Sequence, residues 1–390
     1  MNASPPPVAA AIDLLARLVG FDTTSRNSNL ALIDCIAEFL GRHAVPFRVS
    51  YNPERTKANI HARIGPDVPG GVALSGHVDT VPVEGQAWTG DPFALRCQDG
   101  RLIARGACDM KGFVAVCLAL APELAARRLT RPVHLCITYD EEISCAGVAR
   151  LIETLDEAWA RPAVCVVGEP SSMQPILAHK GKLDLRVSVA GRTGHSSVPA
   201  RGVNAVQAAA EAIAWIAAEA RRHAAEGPFE DGFDPPASTL HVGTMSGGTI
   251  LNIIPERAQF AAEWRTIPAD DPAVLCARFR AHVASTIEPA MHAVDPATGF
   301  TYATTALLPG MSLPPAHPLA DAVRQLTGAN QAGKVSYGTE GGFYQNAGIP
   351  TIICGPGDIA QAHQPDEFVT EEQLIRCGTF LRRLIDRLAG

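Results

Sequence analysis

Short runs of consecutive apolar residues, separated by turns and helical stretches, recur up to about Lys180 and again beyond about Val294. The candidate strands are residues 72–75 (VALS), 133–138 (VHLCIT), 163–167 (AVCVV) and 351–354 (TIIC). A strand apolar at successive positions is buried on both faces, as in a mostly parallel sheet covered by helices. Residues 112–126, rich in Ala, Val and Leu, read as one covering helix. Val8, Ile12, Leu15 and Val19 recur at helical spacing and predict an amphipathic first helix opened by Pro5, Pro6 and Pro7. The alternation of the two element types makes the class α/β.

The middle of the chain obeys another rule. Residues 183–189 (LDLRVSV) alternate apolar and polar, which marks a strand with one solvated face. An Ala-rich helical pattern spans 203–225, strand patterns span 239–244 and 258–266, and a helix opens at Asp271-Pro272. A last strand pattern lies near 300–306, and residues 227–236 (GPFEDGFDPP) read as an exposed loop. The order β-α-β-β-α-β predicts a ferredoxin-like α+β module inserted into the larger domain. The expected division is therefore a discontinuous domain, 1–181 and 294–390, interrupted by an inserted one, 182–293.

Composition narrows the function by exclusion. With 47% hydrophobic and 19% charged residues the chain is apolar enough to fold. Its 33 basic against 40 acidic residues, without a Lys/Arg run, provide no electrostatic footprint for nucleic acid. No run of about 18 uncharged apolar residues is present, so no membrane span is expected. Asp13 and Arg17 interrupt the first apolar run, which favours a helix over a secretory leader. The ten cysteines form no Cys-x-x-Cys pair, and Cys117, Cys136, Cys165 and Cys354 sit inside apolar runs. That usage fits a reducing cytoplasm, so a cytoplasmic protein is expected.

Chemistry enters at the strand ends. His77 and Asp79 follow the first buried run, Asp140-Glu141-Glu142 the second, Gly168-Glu169-Pro170 the third, and Gly355-Pro356-Gly357 with His363 the fourth. Asp109 lies in a Gly-flanked turn just before a helix. Ligands of open α/β sheets bind beyond the carboxyl ends of the strands, so these side chains are expected at one edge. Two imidazoles and three carboxylates suit zinc, cobalt or manganese, and a pair of ions would clamp both oxygens of a hydrolysis. Adjacent Glu141 and Glu142 divide naturally into a base and a ligand, and Asp79 is placed to accept a ring N–H of His77.

The segments SGHVDTVP (75–82), GACDMKG (106–112), DEE (140–142), GEP (168–170) and GPGDIAQAHQPDE (355–367) resemble the dinuclear metallohydrolase family that includes acetylornithine deacetylase, succinyl-diaminopimelate desuccinylase and glutamate carboxypeptidase. The resemblance implies that Asp109 bridges two zinc ions, with His77 and Glu169 on one and Glu142 and His363 on the other. It implies Glu141 as general base, Asp79 as the orienting carboxylate, and a cis peptide bond at Asp109–Met110. In the inserted domain it implies a lid: His195 (in GHSS) reaching a partner subunit's site, Asn252 and Arg265 on the substrate carboxylate, and a homodimer through an edge strand and the helix at 203–225.

SYGTEGGF (336–343) resembles the acetylornithine deacetylase branch most closely. Deacetylation of N2-acetyl-L-ornithine is therefore the expected reaction, with Glu340 expected near the substrate amine. The alternatives are a related N-acyl-amino-acid hydrolase, a desuccinylase or a dipeptidase on the same centre. A non-catalytic, metal-stabilised scaffold would be expected to have lost a ligand or the base, and none is missing here.

Overall fold

The computed structural model describes residues 8–390, apart from the side chains of residues 156–158. The chain divides into two compact units: one holds the residues up to Ala178 with Met311–Gly333 and Thr339–Gly390, the other His179–Gly310 with residues 334–338.

The first unit is built on a mixed sheet. Its strands run in the order Phe47–Tyr51, Ala58–Ile64, Val133–Thr138, Val72–His77, Val164–Pro170, Thr351–Gly355, Ile176–His179 and Met311–Ser312. Val133–Thr138, Val72–His77, Val164–Pro170 and Thr351–Gly355 are contiguous and parallel, with antiparallel strands flanking them. These are the four strands read from consecutive apolar positions, and every residue of Val72–His77 and Val133–Thr138 is buried.

Both sheet faces are covered. Val72 and Leu74 join the cluster formed with the Gly112–Ala125 helix, which the Val8–Val19 and Glu371–Leu388 helices overlie. Ser75 turns to the opposite face, where Tyr344 of the Gly341–Asn346 helix meets it. A helix apolar all round, as Gly112–Ala125 is, needs this position between layers. The Val8–Val19 helix buries Leu15 and Val19 as expected, whereas the prolines expected to open it lie outside the described residues.

The second unit is an antiparallel sheet in the order Thr239–Gly247, Arg257–Thr266, Gly181–Ala190, Gly299–Leu308. The Ala205–Glu226 and Pro272–His282 helices share its core, and their starts are capped by Asn204 and Asp271 side chains. Gly181–Ala190 alternates buried and more exposed positions along its length, as its pattern predicts. The order β-α-β-β-α-β holds, with a short further helix, Glu288–His292, before the last strand. The boundary expected after residue 293 falls short, however. Gly299–Leu308 pairs with the central Gly181–Ala190 strand from end to end, so the unit extends to Gly310.

Candidate metal centre

Parallel strands share a direction, so the turns after them open at one edge, and the chain uses that edge for its acids and imidazoles. His77 ends the Val72–His77 strand, Glu169 lies near the end of Val164–Pro170, and Glu141 and Glu142 follow Val133–Thr138. His363 comes from the loop after Thr351–Gly355, with φ +61°. Asp109 stands in the turn before the Gly112–Ala125 helix, and its peptide bond to Met110 is cis, as the resemblance implied.

The distances bring these residues together. His77 Nε2 is 3.0 Å from Asp109 Oδ1 and 3.7 Å from Glu169 Oε1. His363 Nε2 is 3.4 Å from Asp109 Oδ2 and 3.1 Å from Glu142 Oε2. Asp109 thus turns one oxygen to each imidazole. Donor atoms of His77, Asp109 and Glu142 lie within 4.8 Å of one another, and so do those of His77, Glu141 and Glu169. Glu141 is therefore as near the cluster as the expected ligands are, a proximity that its residue type alone does not reveal.

The electrostatics are those of a cation site. Burial raises the carboxyl pKa values of Glu141 and Glu169, and neighbouring carboxylates add to the effect. Glu142 is raised to about 7, by burial first and then by the charge of Asp109. Burial opposes a charge on His77, but hydrogen bonds to Asp109 and Asp79 outweigh it and its pKa is raised. Hydrogen bonds with Asp109 and Glu142 raise His363 to about 10. Glu169 Oε1 is buried and has no hydrogen-bond partner. A divalent ion fits these residues: it supplies the missing partner, its charge relieves the crowded carboxylates, and imidazole with carboxylate is a donor set such ions accept.

Around the cluster runs a frame of further polar groups. His77 Nδ1 donates to the Asp79 carbonyl oxygen at 3.0 Å, and the Asp79 carboxylate, expected to take that proton, is the farther acceptor at 3.4 Å. That carboxylate instead accepts the N–H groups of Glu141 (3.1 Å) and Glu142 (3.3 Å) and the hydroxyl of Ser25 (2.7 Å). On the other side Glu367 Oε1 accepts the N–H groups of Cys108 (2.9 Å) and Asp109 (3.0 Å). Its Oε2 accepts from Arg105 Nη1 at 2.6 Å, in a pair only 1% exposed on each side.

Ser25, Arg105 and the role of Glu367 escaped the reading of the sequence. Glu367 closes the quoted 355–367 segment, and that position was its one signal. Glu340 is corrected. It is fully buried, and its two oxygens accept from the hydroxyls of Ser75 and Thr138, so no face is left toward a substrate amine.

The remaining expected site residues lie in the second unit. His195 is exposed, and its Nδ1 accepts from the Ser197 N–H at 3.1 Å. The Ser196 N–H donates to the carbonyl oxygen of Asn252 at 3.2 Å, so these two segments meet. Arg265 is paired with Glu263 on its own strand at 3.0 Å.

A helix-covered, mostly parallel sheet whose carboxyl edge gathers imidazoles around a shared carboxylate marks a metal-dependent hydrolase, and the relatives make it one that acts on amide bonds. The chain belongs to peptidase family M20/M25/M40, whose profile matches residues 73–387. It is 36% identical over 347 residues to the acetylornithine deacetylase of Shigella sonnei (strain Ss046), covering 88% of this chain and 86% of that one. Its fold is similar to that of an M20 family metallo-carboxypeptidase from Sulfolobus solfataricus, with TM-score 0.74, 15% identity and coverage of 96% and 98%. It is also similar to the YXEP protein of Bacillus subtilis, a dinuclear metal binding peptidase, with TM-score 0.68, 17% identity and 97% of each chain covered.

Proposed function

We propose that the chain removes the acetyl group of N2-acetyl-L-ornithine, giving L-ornithine and acetate for arginine biosynthesis. It would do so as a cytoplasmic homodimer with two divalent ions per chain, zinc or, on the same donors, cobalt. Asp109 carries the metal reading, because its two oxygens address His77 and His363 separately. His77 and Glu169 would hold one ion and Glu142 and His363 the other, with Asp109 shared. The likeness to the Shigella deacetylase supports the substrate.

Bound ions supply a Lewis acid for the acyl carbonyl and make water a nucleophile near neutral pH. The other steps belong to side chains. Glu141 takes the proton of the attacking water on its carboxylate and passes it to the nitrogen of the leaving amine. Its burial-raised pKa favours the first half, since a carboxylate whose pKa lies nearer neutrality takes a proton from water more readily, and the more basic leaving amine then draws that proton off. Asp79 holds the Glu141 and Glu142 amides and so keeps base and ligand in fixed relation. The second unit serves as lid and dimerisation domain, with Ala205–Glu226 at the interface. From it the partner's His195 holds the oxyanion, and Asn252 and Arg265 hold the substrate carboxylate.

The test is kcat/KM on N2-acetyl-L-ornithine, succinyl-diaminopimelate and simple dipeptides, with the oligomeric state measured by sedimentation. Acetylornithine is expected to lead. A higher value on either other class overturns the substrate, and a monomer at full activity overturns the role of His195.

A further inference from the structure

Glu340 takes no part in the chemistry above, yet it is fully buried and both its oxygens are engaged. Oε1 accepts from Ser75 Oγ, and Oε2 accepts from Thr138 Oγ1 at 2.7 Å. Ser75 stands two residues before His77, and Thr138 three before Glu141. The two strands pair in parallel with His77 opposite Thr138, so Ser75, His77 and Thr138 share one sheet face. Ser75 Oγ also lies 2.8 Å from the hydroxyl of buried Tyr344, in the helix that Glu340 precedes. One carboxylate therefore joins the two strand tips that deliver His77 and the Glu141-Glu142 pair.

The residue type matters. A carboxylate only accepts, so both hydroxyls must point at it, and such charge-assisted bonds are short and directional. Burying it is costly unless those bonds form. A metal centre tolerates ligand displacements of only about 0.2 Å, less than a slip of one strand tip past the other would produce.

We propose that Glu340 is a positioning residue of the metal centre: by tying Ser75 to Thr138 it sets the separation of His77 from Glu141 and Glu142, and so governs how tightly the ions are held. The proposal rests on the ligand assignment above and replaces the substrate-amine contact expected for this residue.

The experiment compares the full-length protein with Glu340→Gln, Ser75→Ala and Thr138→Val. Zn2+ stoichiometry and affinity are read by competition with a chromophoric chelator. kcat and KM are read on N2-acetyl-L-ornithine and on a neutral N-acetyl amino acid. Glu340→Gln is expected to weaken Zn2+ binding about 10–100-fold, the usual effect of losing a group that orients a ligand, with kcat recovering at saturating Zn2+ and the KM ratio of the two substrates unchanged. Ser75→Ala, which removes a single oxygen and leaves the fold, should reproduce part of that loss and add less than its own effect on top of Glu340→Gln. Unchanged Zn2+ affinity in Glu340→Gln overturns the proposal, as does a selective loss of the amine-bearing substrate. A wild-type chain that binds fewer than two Zn2+ ions fails differently, since it overturns the ligand assignment together with what rests on it.

Discussion

Replacing Glu367 by Gln tests whether the turn carrying Asp109 is held as the geometry indicates. The amide keeps the size of the carboxylate, and its oxygen can still accept from the Cys108 and Asp109 N–H groups. Its NH2 group, however, would face Arg105 Nη1 across the present 2.6 Å, donor against donor. Arg105 is 1% exposed, so its charge loses its partner with no water to replace it. Removing one partner of a buried pair costs about 3–5 kcal/mol. Arg105 keeps bonds to Gln86 and Gln364 and stacks 5.0 Å from the Trp88 ring, which places the expectation at the lower end. Burial and the charge of Asp109 raise the Glu367 pKa despite Arg105, which points the same way. Urea unfolding of the metal-free protein is the assay, with the midpoint shifted and the slope unchanged. A double substitution, Arg105→Met with Glu367→Leu, should recover most of the stability, because apolar packing replaces buried ion pairs well. It should not recover Zn2+ affinity, because the Asp109 amide loses its acceptor. A cost for Glu367→Gln below about 1 kcal/mol, within ordinary hydrogen-bond loss, or a double variant no better than the single one, would refute the reasoning.

Glu141→Ala should retain two metal ions per chain by elemental analysis while kcat falls about 10²–10⁴-fold, the usual reach of a general base; full turnover would remove Glu141 from the role. The metal-free protein should lose stability between pH 5 and 8. Glu142 titrates at about 7 and Glu141 and Glu169 are also raised, so the fold holds protons that the unfolded chain, near 4.5, has already released. That contribution is complete below about 4.5 and is lost as pH rises through about 7. Saturating Zn2+ should flatten the profile, and Zn2+ affinity itself should rise over the same range because binding displaces those protons. Thermal melts and chelator competition at pH 5, 6.5 and 8 check both. Gly355→Ala should destabilise by more than the usual 1–3 kcal/mol of overpacking, because its Cβ would lie 1.9 Å from the Gly168 carbonyl oxygen, backbone that cannot turn aside. A Tm within a degree of wild type would contradict it.

The sheet was legible because its signal is local. VHLCIT and TIIC are apolar at every position but one or two, and only burial on both faces asks for that. The gathering of the candidate ligands was legible for a related reason: strand ends fix direction, so residues following parallel strands must share an edge. What the pattern did not contain was the partner of each buried carboxylate. Glu340 and Ser75 are 265 residues apart in sequence, and Glu367 and Cys108 are 259 apart. Nothing in the neighbours of Glu340 distinguishes a carboxylate aimed at a ligand from one aimed at two hydroxyls of the sheet beneath it. The boundary of the inserted unit failed for a kindred reason. Gly299–Leu308 belongs to the second sheet because of its pairing with Gly181–Ala190, more than a hundred residues earlier, while its own alternation breaks at Thr304 and Thr305, both exposed, where the pairing register shifts.

Carboxylates that do not ligate outline a division of labour at this edge. Asp79 accepts from Glu141 and Glu142, Glu340 from Ser75 and Thr138, and Glu367 from Cys108 and Asp109. Each holds a turn or strand end that presents a candidate ligand, and each adds negative charge to a cluster already rich in it. Neutral acceptors would hold the same turns with less mutual repulsion, but with weaker bonds. The arrangement is favourable only where cations are bound nearby, since the same charges that crowd the metal-free site then strengthen the holding of the ions. Frame and ligands are therefore coupled through charge as well as through geometry. A substitution in the frame should accordingly be felt first as weaker ion binding, and only then as lost turnover.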